Sequence, residues 1–511
     1  MSQPSTNRAK LYQLALFPLN NGATNVYFVL ILSYIANFGS NVLGLAMTFA
    51  TVMVTAMRVF DAVTDPIIGA LMDRTSTKFG KFRPFMVLGN GIMAVATILL
   101  YVFTPLITVL WAKYALFVAL YGVWVIGYTF QTSVTRAAQP VLTDDPQQRP
   151  LFTVFNTVGS LLGMGVMQGL GPILAGDNLL GDYNAGWYRA MTPVGIVVSI
   201  LLTGLAIIGI WQKDNEKYFG LGNTAQKVRF SEYVSIVRGN KPLQRLMIAG
   251  GGCKLALAVA TNMTVLIMLY ACMMGNYDNL YLPMMVVGYV FAAPFFALTV
   301  RTSQKHGQKR SLMTYVAVAL ICYVGVTALL LLWQPGDPAR NLSLFTFADG
   351  KLKITANLYT VLFVLFFGVG YGAYYATADM PIPMVADCAD YETYKSGKFI
   401  PGIMGTLFSL VDKLVSSLAG TVVGLAVGII GLSNLPTKAT PYTPGMNWVV
   451  IALFCGIPMA AWIVTLIAMR GYSLTGKRMQ TVSKVNAARR AAIEKGLSLE
   501  EAMTTITDET V

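Results

Sequence analysis

Charge is what this chain has least of. Asp, Glu, Lys and Arg make up 12% of its 511 residues, about half the share in an ordinary soluble domain, which excludes a soluble globular core and a charged disordered chain. Histidine is almost missing, with His306 alone, and the five cysteines (Cys253, Cys272, Cys322, Cys388 and Cys455) stand singly without CxxC spacing. A disulfide framework and a metal centre built from local ligand spacing are both excluded, and no cofactor is expected. The N-terminus, MSQPSTNRAKLYQ, is polar and meets the first apolar run without a small-residue cleavage site, so no removable signal peptide is expected.

What is there is hydrophobic: 55% of the residues. Apolar runs long enough to cross a hydrocarbon core of about 30 Å recur with centres near residues 27, 55, 94, 122, 162, 200, 259, 290, 322, 370, 415 and 458. The expected fold class is an all-α integral membrane protein with twelve transmembrane helices. If the N-terminus lies inside, the loops and tails on that side hold 27 of the 37 Lys and Arg, against 6 on the other side. Positive charge marks the cytoplasmic face, so both termini are expected there, in a bacterial inner membrane, and the +14 net charge calls for no nucleic acid.

RTSTKFGKFR at 74–83 returns as RTSQKHGQKR at 301–310, identical at six of ten positions. The echo implies two copies of a six-helix bundle: residues 1–211 and 245–470, joined by a polar cytoplasmic linker at 212–244 and followed by a tail at 471–511. Glycines four apart in the fifth helix (Gly159, Gly163; Gly165, Gly169) and the eleventh (Gly420, Gly424, Gly428) read as close helix packing. Two parallel six-helix repeats describe the major facilitator architecture, whose substrate site lies between the halves near the bilayer midplane. Transport is the function this implies.

The second helix carries RVFDAVTDPIIGALMDR at 58–74. An Arg or Asp at a helix centre costs roughly 2.5 to 3.5 kcal/mol in the membrane, so Arg58, Asp61 and Asp65 need a reason. They share one helical stripe, with Thr64 beside it. The repeat equivalents, 227 residues on, are Met285, Gly288 and Ala292, which points to a task the halves do not share. Paired carboxylates suit Na⁺ or H⁺, with Arg58 favouring their charged forms; an internal salt bridge is the alternative. The fourth helix adds a polar stripe of Tyr128, Thr132 and Arg136 with Thr129 alongside, able to ligate a cation or hold a sugar, unless Arg136 serves a gate instead. Lys254 in the seventh helix and Asp412 and Lys413 in the eleventh complete the intramembrane charges. The loops Arg74–Arg83 and 301–310, with Arg74, Lys78, Arg83 and Arg301, are expected to pin helix ends through carbonyls and carboxylates including Asp73. Asp145, Asp387, Asp390 and Tyr391 are their expected partners when that side closes.

Taken with these stripes, FDAVTDPIIGALMDRTSTKFGKFRP (60–84), WVIGYTFQT (124–132), LTDDPQQR (142–149), VADCADYETYKSGK (385–398) and LFSLVDKL (407–414) resemble the glycoside-pentoside-hexuronide:cation symporter family, melibiose permease-like, over residues 12 to 470. The resemblance implies symport of a glycoside with Na⁺, H⁺ or Li⁺. It implies cation-binding roles for Asp61, Asp65 and Thr129, and functional charged positions at Arg58 and Lys413. Where melibiose-type members hold sugar with two aspartates and an arginine, this chain has Asn20, Thr132 and Asn156, and a matched tryptophan is Arg136. Losing two acids and gaining a base favours an acidic substrate such as a hexuronide or glucuronide. A neutral glycoside or pentoside is the alternative; a non-transporting sensor and an intramembrane enzyme are remoter. The expected partners are a small-molecule glycoside, the coupling cation and the lipid bilayer, with the chain working as a monomer. The tail, with KVNAARRAAIEKGLSLEEAM, reads as a solvated cytoplasmic helix.

Overall fold

The computed structural model describes residues 7–508 apart from 146, 175–179, 181–182, 220–234, 236–237, 349–350, 431–435 and 437–439. Most of the expected 212–244 linker therefore lies outside the described residues. In chain order the long helices are α1 (Leu11–Val42), α2 (Met47–Arg74), α3 (Arg83–Leu106), α4 (Leu110–Ala137), α5 (Arg149–Leu174), α6 (Ala185–Ile210), α7 (Lys241–Ala260), α8 (Tyr277–His306), α9 (Gln308–Leu332), α10 (Leu358–Ser396), α11 (Pro401–Ile429) and α12 (Met446–Arg470). Two tail helices follow, α13 (Gly476–Glu494) and α14 (Leu499–Thr505). Among the described residues eleven helices are long and apolar enough to cross a membrane. The 28-residue α2, with its buried charges, is the twelfth long one. A small antiparallel hairpin, Phe345–Ala348 with Lys351–Ile354, departs from the all-α expectation; its alternation TFA and LKI between turn residues gave little warning.

By contacts the chain forms two compact units. The first holds Met1–Leu243, Ile382–Leu410 and Lys477–Val511; the second holds Gln244–Pro381 and Val411–Gly476. Residues 382–410 and the tail thus pack with the N-terminal repeat.

In the first unit α1 and α5 meet backbone to backbone. A Cβ at Gly159 would lie 2.7 Å from the carbonyl oxygen of Pro18, and one at Gly163 would run into that of Gly22. The fifth-helix glycines are there for close approach, as the spacing implies. For those of α11 the described residues show no such approach: a Cβ at Gly420, Gly424 or Gly428 meets no described atom within 4 Å. One end of this unit is closed by an aromatic cluster in which Phe38, Tyr101 and Tyr188 lie 4.6 to 4.8 Å apart. Its polar tips are satisfied: Tyr101 donates to the Leu30 carbonyl at 2.7 Å and Trp187 to that of Gly171 at 2.9 Å, as buried aromatics require.

The two loops of the repeat share one conformational necessity. Gly80 and Gly307 both have positive φ, 94° and 88°, where a side chain would strain the backbone. At Gly80 a Cβ would also strike the carboxylate of Asp214. That carboxylate accepts from the backbone N–H groups of Lys81 (2.8 Å), Phe82 (3.1 Å) and Arg83 (2.9 Å), capping the exposed donors at the start of α3. In the second unit α8 instead runs helically to His306 and α9 starts at Gln308, so the same ten-residue pattern makes a loop once and a near-continuous helix pair once.

Also in the second unit, Gly288 and Ala292, the counterparts of Asp61 and Asp65, are packing positions. A Cβ on Gly288 would sit 2.7 Å from the Tyr371 ring, and Ala292 is buried. The equivalent stripe is spent on seating α8 against α10.

Candidate functional site

Two long helices of the first unit, α2 and α4, bring most of the expected cation ligands together. Asp61 and Asp65 are 2% and 0% exposed. Thr129 of α4 donates its hydroxyl to Asp61 Oδ1 at 2.7 Å, with its own-helix carbonyl of Val125 at 3.0 Å as competitor. Thr64 Oγ1 lies 3.3 Å from Thr129 Oγ1 and donates to the Asp61 carbonyl at 3.0 Å. With its proton on Asp61, the Thr129 oxygen keeps lone pairs for a cation. The result is a buried carboxylate with one buried and one half-buried hydroxyl beside it, an all-oxygen donor set of the kind a hard cation prefers. Arg58, one turn before Asp61, is placed over the Phe28 ring at 5.2 Å, a cation–π seat that holds its charge beside the acids. Among the described residues no group of three or more His, Cys, Asp or Glu could hold a metal ion.

The expected substrate residues divide. Tyr128 stacks on Trp124 at 5.2 Å and 18°, and Thr132 returns its hydroxyl to the Tyr128 carbonyl at 2.8 Å, satisfying itself within the helix. Arg136 donates to Ser409 Oγ on α11 at 2.9 Å, and Gly405 lets α11 approach it closely. Asn156 is 5% exposed, and its side-chain oxygen has no hydrogen-bond partner.

Asn20 is different. Its Nδ2 donates to the Gln131 carbonyl and to Thr135 Oγ1, both at 2.9 Å, while its Oδ1 accepts from Gln131 Nε2 at 3.0 Å. Gln131 in turn donates to Thr203 at 2.8 Å, and Asn90 donates to Ser199 at 2.7 Å and Thr203 at 3.0 Å. This buried network braces α1, α3, α4 and α6, so Asn20 is occupied in holding helices rather than presented to a ligand. Sequence reading passed over Gln131 and Asn90 because one amide in an apolar helix carries no partner information.

A second cluster joins the N-terminal repeat to residues 382–410. Arg149, at the start of α5 and fully buried, donates Nη1 to Asp387 and Nη2 to Asp390, with Thr143's carbonyl accepting from Nη2 at 3.3 Å. Asp73 accepts from the N–H groups of Gly402 and Ile403, both at 2.8 Å, and pairs with Lys81 at 3.3 Å, so the last turn of α2 caps the start of α11. Asp73 and its loop partner agree with expectation. Asp387 and Asp390, expected to meet the 74–83 and 301–310 loops, are bonded by Arg149, because the α10 turn that carries them packs on the α4–α5 junction. Arg83 pairs with Asp214 at 3.2 Å and lies over Trp211 at 4.5 Å; Asp145 pairs with Arg8 at 2.8 Å. Arg74, Lys78 and Arg301 are exposed. Arg149 was legible only as the end of LTDDPQQR, and Asp214 not at all.

Of the remaining charges, Lys254 and Asp412 lie in the second unit and pair at 3.6 Å, which gives Lys254 a carboxylate partner. Lys413 belongs to that unit too.

The relatives of this chain are transporters. It is 24% identical over 469 residues to a putative glycoside/cation symporter, YagG, of Escherichia coli, covering 90% of this chain and 91% of that one. It is also 24% identical to a putative 2,3-dihydroxypropane-1-sulfonate exporter of E. coli, over 96% of this chain and 98% of that one. A bacterial homologue of the iron transporter ferroportin, in an outward-facing state, superposes with a TM-score of 0.60 at 11% identity, over 90% of this chain and 98% of the other. That likeness shows the fold, a helical membrane-transporter architecture in which eleven of the described helices are long and apolar enough to cross a membrane. The family model described as MFS/sugar transport protein matches residues 18 to 476, nearly the whole chain, and the protein belongs to that family.

Proposed function

We propose that the protein is a cation-coupled symporter of a glycoside, working by alternating access, with Na⁺ or H⁺ as the coupling ion and no other cofactor. The observation that carries this reading is the oxygen cluster of buried Asp61 and Thr129 with half-buried Thr64 on α2 and α4, in one repeat only. Asp65 completes the acid pair, Arg58 offsets its charge, and Lys413 is a coupling charge by its family position. Both termini face the cytoplasm in this reading, and the chain acts as a monomer in a bacterial inner membrane. Arg149 with Asp387 and Asp390, and Asp73 with the start of α11, form the cytoplasmic gate, which must part for substrate to leave on that side.

For the substrate, Arg136 favours an acidic glycoside such as a hexuronide or glucuronide, with Tyr128, Thr132 and Asn156 offering hydrogen bonds. The relative named for 2,3-dihydroxypropane-1-sulfonate, itself an anion, supports an anionic cargo on this scaffold. A neutral glycoside or pentoside is the second reading: the Arg136–Ser409 bond then belongs to the gate, and the relative named as a glycoside/cation symporter supports it. Counterflow in proteoliposomes against a panel of acidic and neutral glycosides, with and without Na⁺, separates the two. In the first reading an acidic glycoside exchanges, Asp61→Asn abolishes gradient-driven accumulation, and Arg136→Gln abolishes uptake of the acid alone. Exchange of neutral sugars only would sink the acidic substrate, and accumulation that survives Asp61→Asn would sink the ion site.

A further inference from the structure

The tail after α12 is not the freely solvated helix its sequence suggests. Along one face α13 buries Met479, Val482, Ser483, Val485, Asn486 and Arg489, the three-and-four spacing of a packed stripe. The N–H donors of Asn486 and Arg489 on that face are used. Asn486 Nδ2 donates to the carbonyl of Asp390 at 3.0 Å, and Arg489 donates to the carbonyls of Tyr394 at 2.6 Å and Ile506 at 3.0 Å. Tyr394 in turn donates its hydroxyl to Asp508 at 2.7 Å. The tail therefore grips the stretch of α10 whose Asp387 and Asp390 hold Arg149.

Between α13, the α4–α5 loop and that stretch lies a void of about 10 Å³, walled by Asp144, Tyr218, Asp390, Ser483, Asn486 and Arg490 among others. It has room for one water centre. Three buried polar atoms at its wall lack a hydrogen-bond partner: Asp144 Oδ1, Asn486 Oδ1 and Ser483 Oγ. Two acceptors and one hydroxyl complement a single water, which donates twice and accepts once. The guanidinium of Arg490 on the same wall disfavours a cation in its place.

We propose that residues 476–508 are a latch on the Arg149 gate, seated by one ordered water shared among Asp144, Ser483 and Asn486. Calling that cluster a gate rests on the transport reading; the docking of the tail does not. α13 bonds the end of α10 directly and faces the α4–α5 loop across the void, where Arg490 stands opposite Asp144; these two segments carry the two sides of the Arg149 cluster, and the shared water is what ties α13 to the α4–α5 loop. Parting that cluster therefore requires the tail to loosen from at least one of them.

Hydrogen–deuterium exchange on the full-length protein in nanodiscs tests this, with protection of α3 as the control for folding. In Asn486→Ala/Arg489→Ala, exchange across 476–505 is expected to rise at least tenfold, and exchange across 385–396 to rise with it. Ser483→Ala, which removes only a water partner, is expected to raise tail exchange about threefold; no rise removes the water from the seat. A wild-type tail exchanging at the rate of a free peptide, or a loosened tail that leaves 385–396 fully protected, overturns the latch. Counterflow on the same preparations reads the transport function separately, so a protein that protects its tail but moves no sugar refutes transport and not docking.

Discussion

Thr129→Val removes one oxygen and little else. Valine has nearly the shape of threonine, so α4 keeps its packing, but the hydroxyl 2.7 Å from Asp61 Oδ1 is gone. A hydrogen bond to a charged group contributes about 1.5 to 3 kcal/mol, and about 1.4 kcal/mol is tenfold in affinity. The Val125 carbonyl, 3.0 Å away, competes for the same proton, so the lower part of that range applies if the hydroxyl is shared between them. If the oxygen also ligates the coupling ion, the cation concentration for half-maximal transport should rise roughly ten- to a hundredfold, with maximal exchange in saturating cation nearly kept. The assay is cation-dependent uptake into proteoliposomes of fixed protein content, and Thr129→Ser, which keeps the hydroxyl, should behave as wild type. A valine variant within twofold of wild type in cation dependence would refute the reasoning, since Thr129 would then only tie off its own helix.

Gly163→Ala drives a methyl into the Gly22 carbonyl, so α1 and α5 must part; overpacking of this kind costs about 1 to 3 kcal/mol, read as a lowered Tm in detergent, whereas Gly424→Ala on the open stripe of α11 should leave Tm unchanged. Arg149→Met leaves two buried carboxylates without their cation and should destabilise the first unit by about 3 to 5 kcal/mol; the triple variant with Asp387→Asn and Asp390→Asn should recover part of that loss in the same thermal assay. Docking of the tail should weaken as pH rises. Burial first, and then the neighbouring Asp390, push Asp144 up to about 6 from an ordinary value near 4, against the pull of Arg490, Arg149 and the Asn7 N–H, with Lys213 also facing it. The docked state therefore binds the extra proton between those values, and its stabilisation is whole below about pH 4 and lost through about pH 6. Tail exchange, corrected for intrinsic rate, should be faster at pH 7 than at pH 5; a flat profile refutes it.

Hydropathy is a property of single stretches, which is why the membrane helices were legible and why α2 could be placed despite its charges. The repeat was legible because six of ten residues recur in order, and at one of them, Gly80 and Gly307, both copies need a left-handed backbone. Asp61, Asp65 and Thr64 could be grouped because helical spacing is local. Their meeting with Thr129 came from family resemblance, since nothing in YTFQTSVTR states which way the helix turns. Partners far apart in sequence were the blind spot. Asp214 lies more than 130 residues from the loop it caps, and Arg149 nearly 240 from Asp387. Asn20, aligned with a sugar ligand, has its donors and an acceptor taken by Gln131 and Thr135, which only the packing of α1 on α4 reveals. The tail looked solvated because its buried stripe mixes Ser483, Asn486 and Arg489 with small apolar residues, and the Asn486 and Arg489 donors are satisfied by carbonyls that no pattern shows.

The contrast between the repeats then becomes an argument about division of labour. Asp61 corresponds to Gly288, and each is fixed by what crosses its helix. In the first unit Thr129 meets Asp61 with a hydroxyl, and a buried carboxylate is tolerable because it is hydrogen-bonded and lies near Arg58. In the second, Tyr371 fills the equivalent space with a ring 2.7 Å from where a Cβ on Gly288 would stand, so no side chain, charged or otherwise, fits without moving α10. Restoring an acid by Gly288→Asp should therefore not create a second ion site; it should displace Tyr371 and lower Tm while leaving cation stoichiometry unchanged. A gain in cations bound per protein would mean that the asymmetry is an accident of composition and that the ion site can be written into either half.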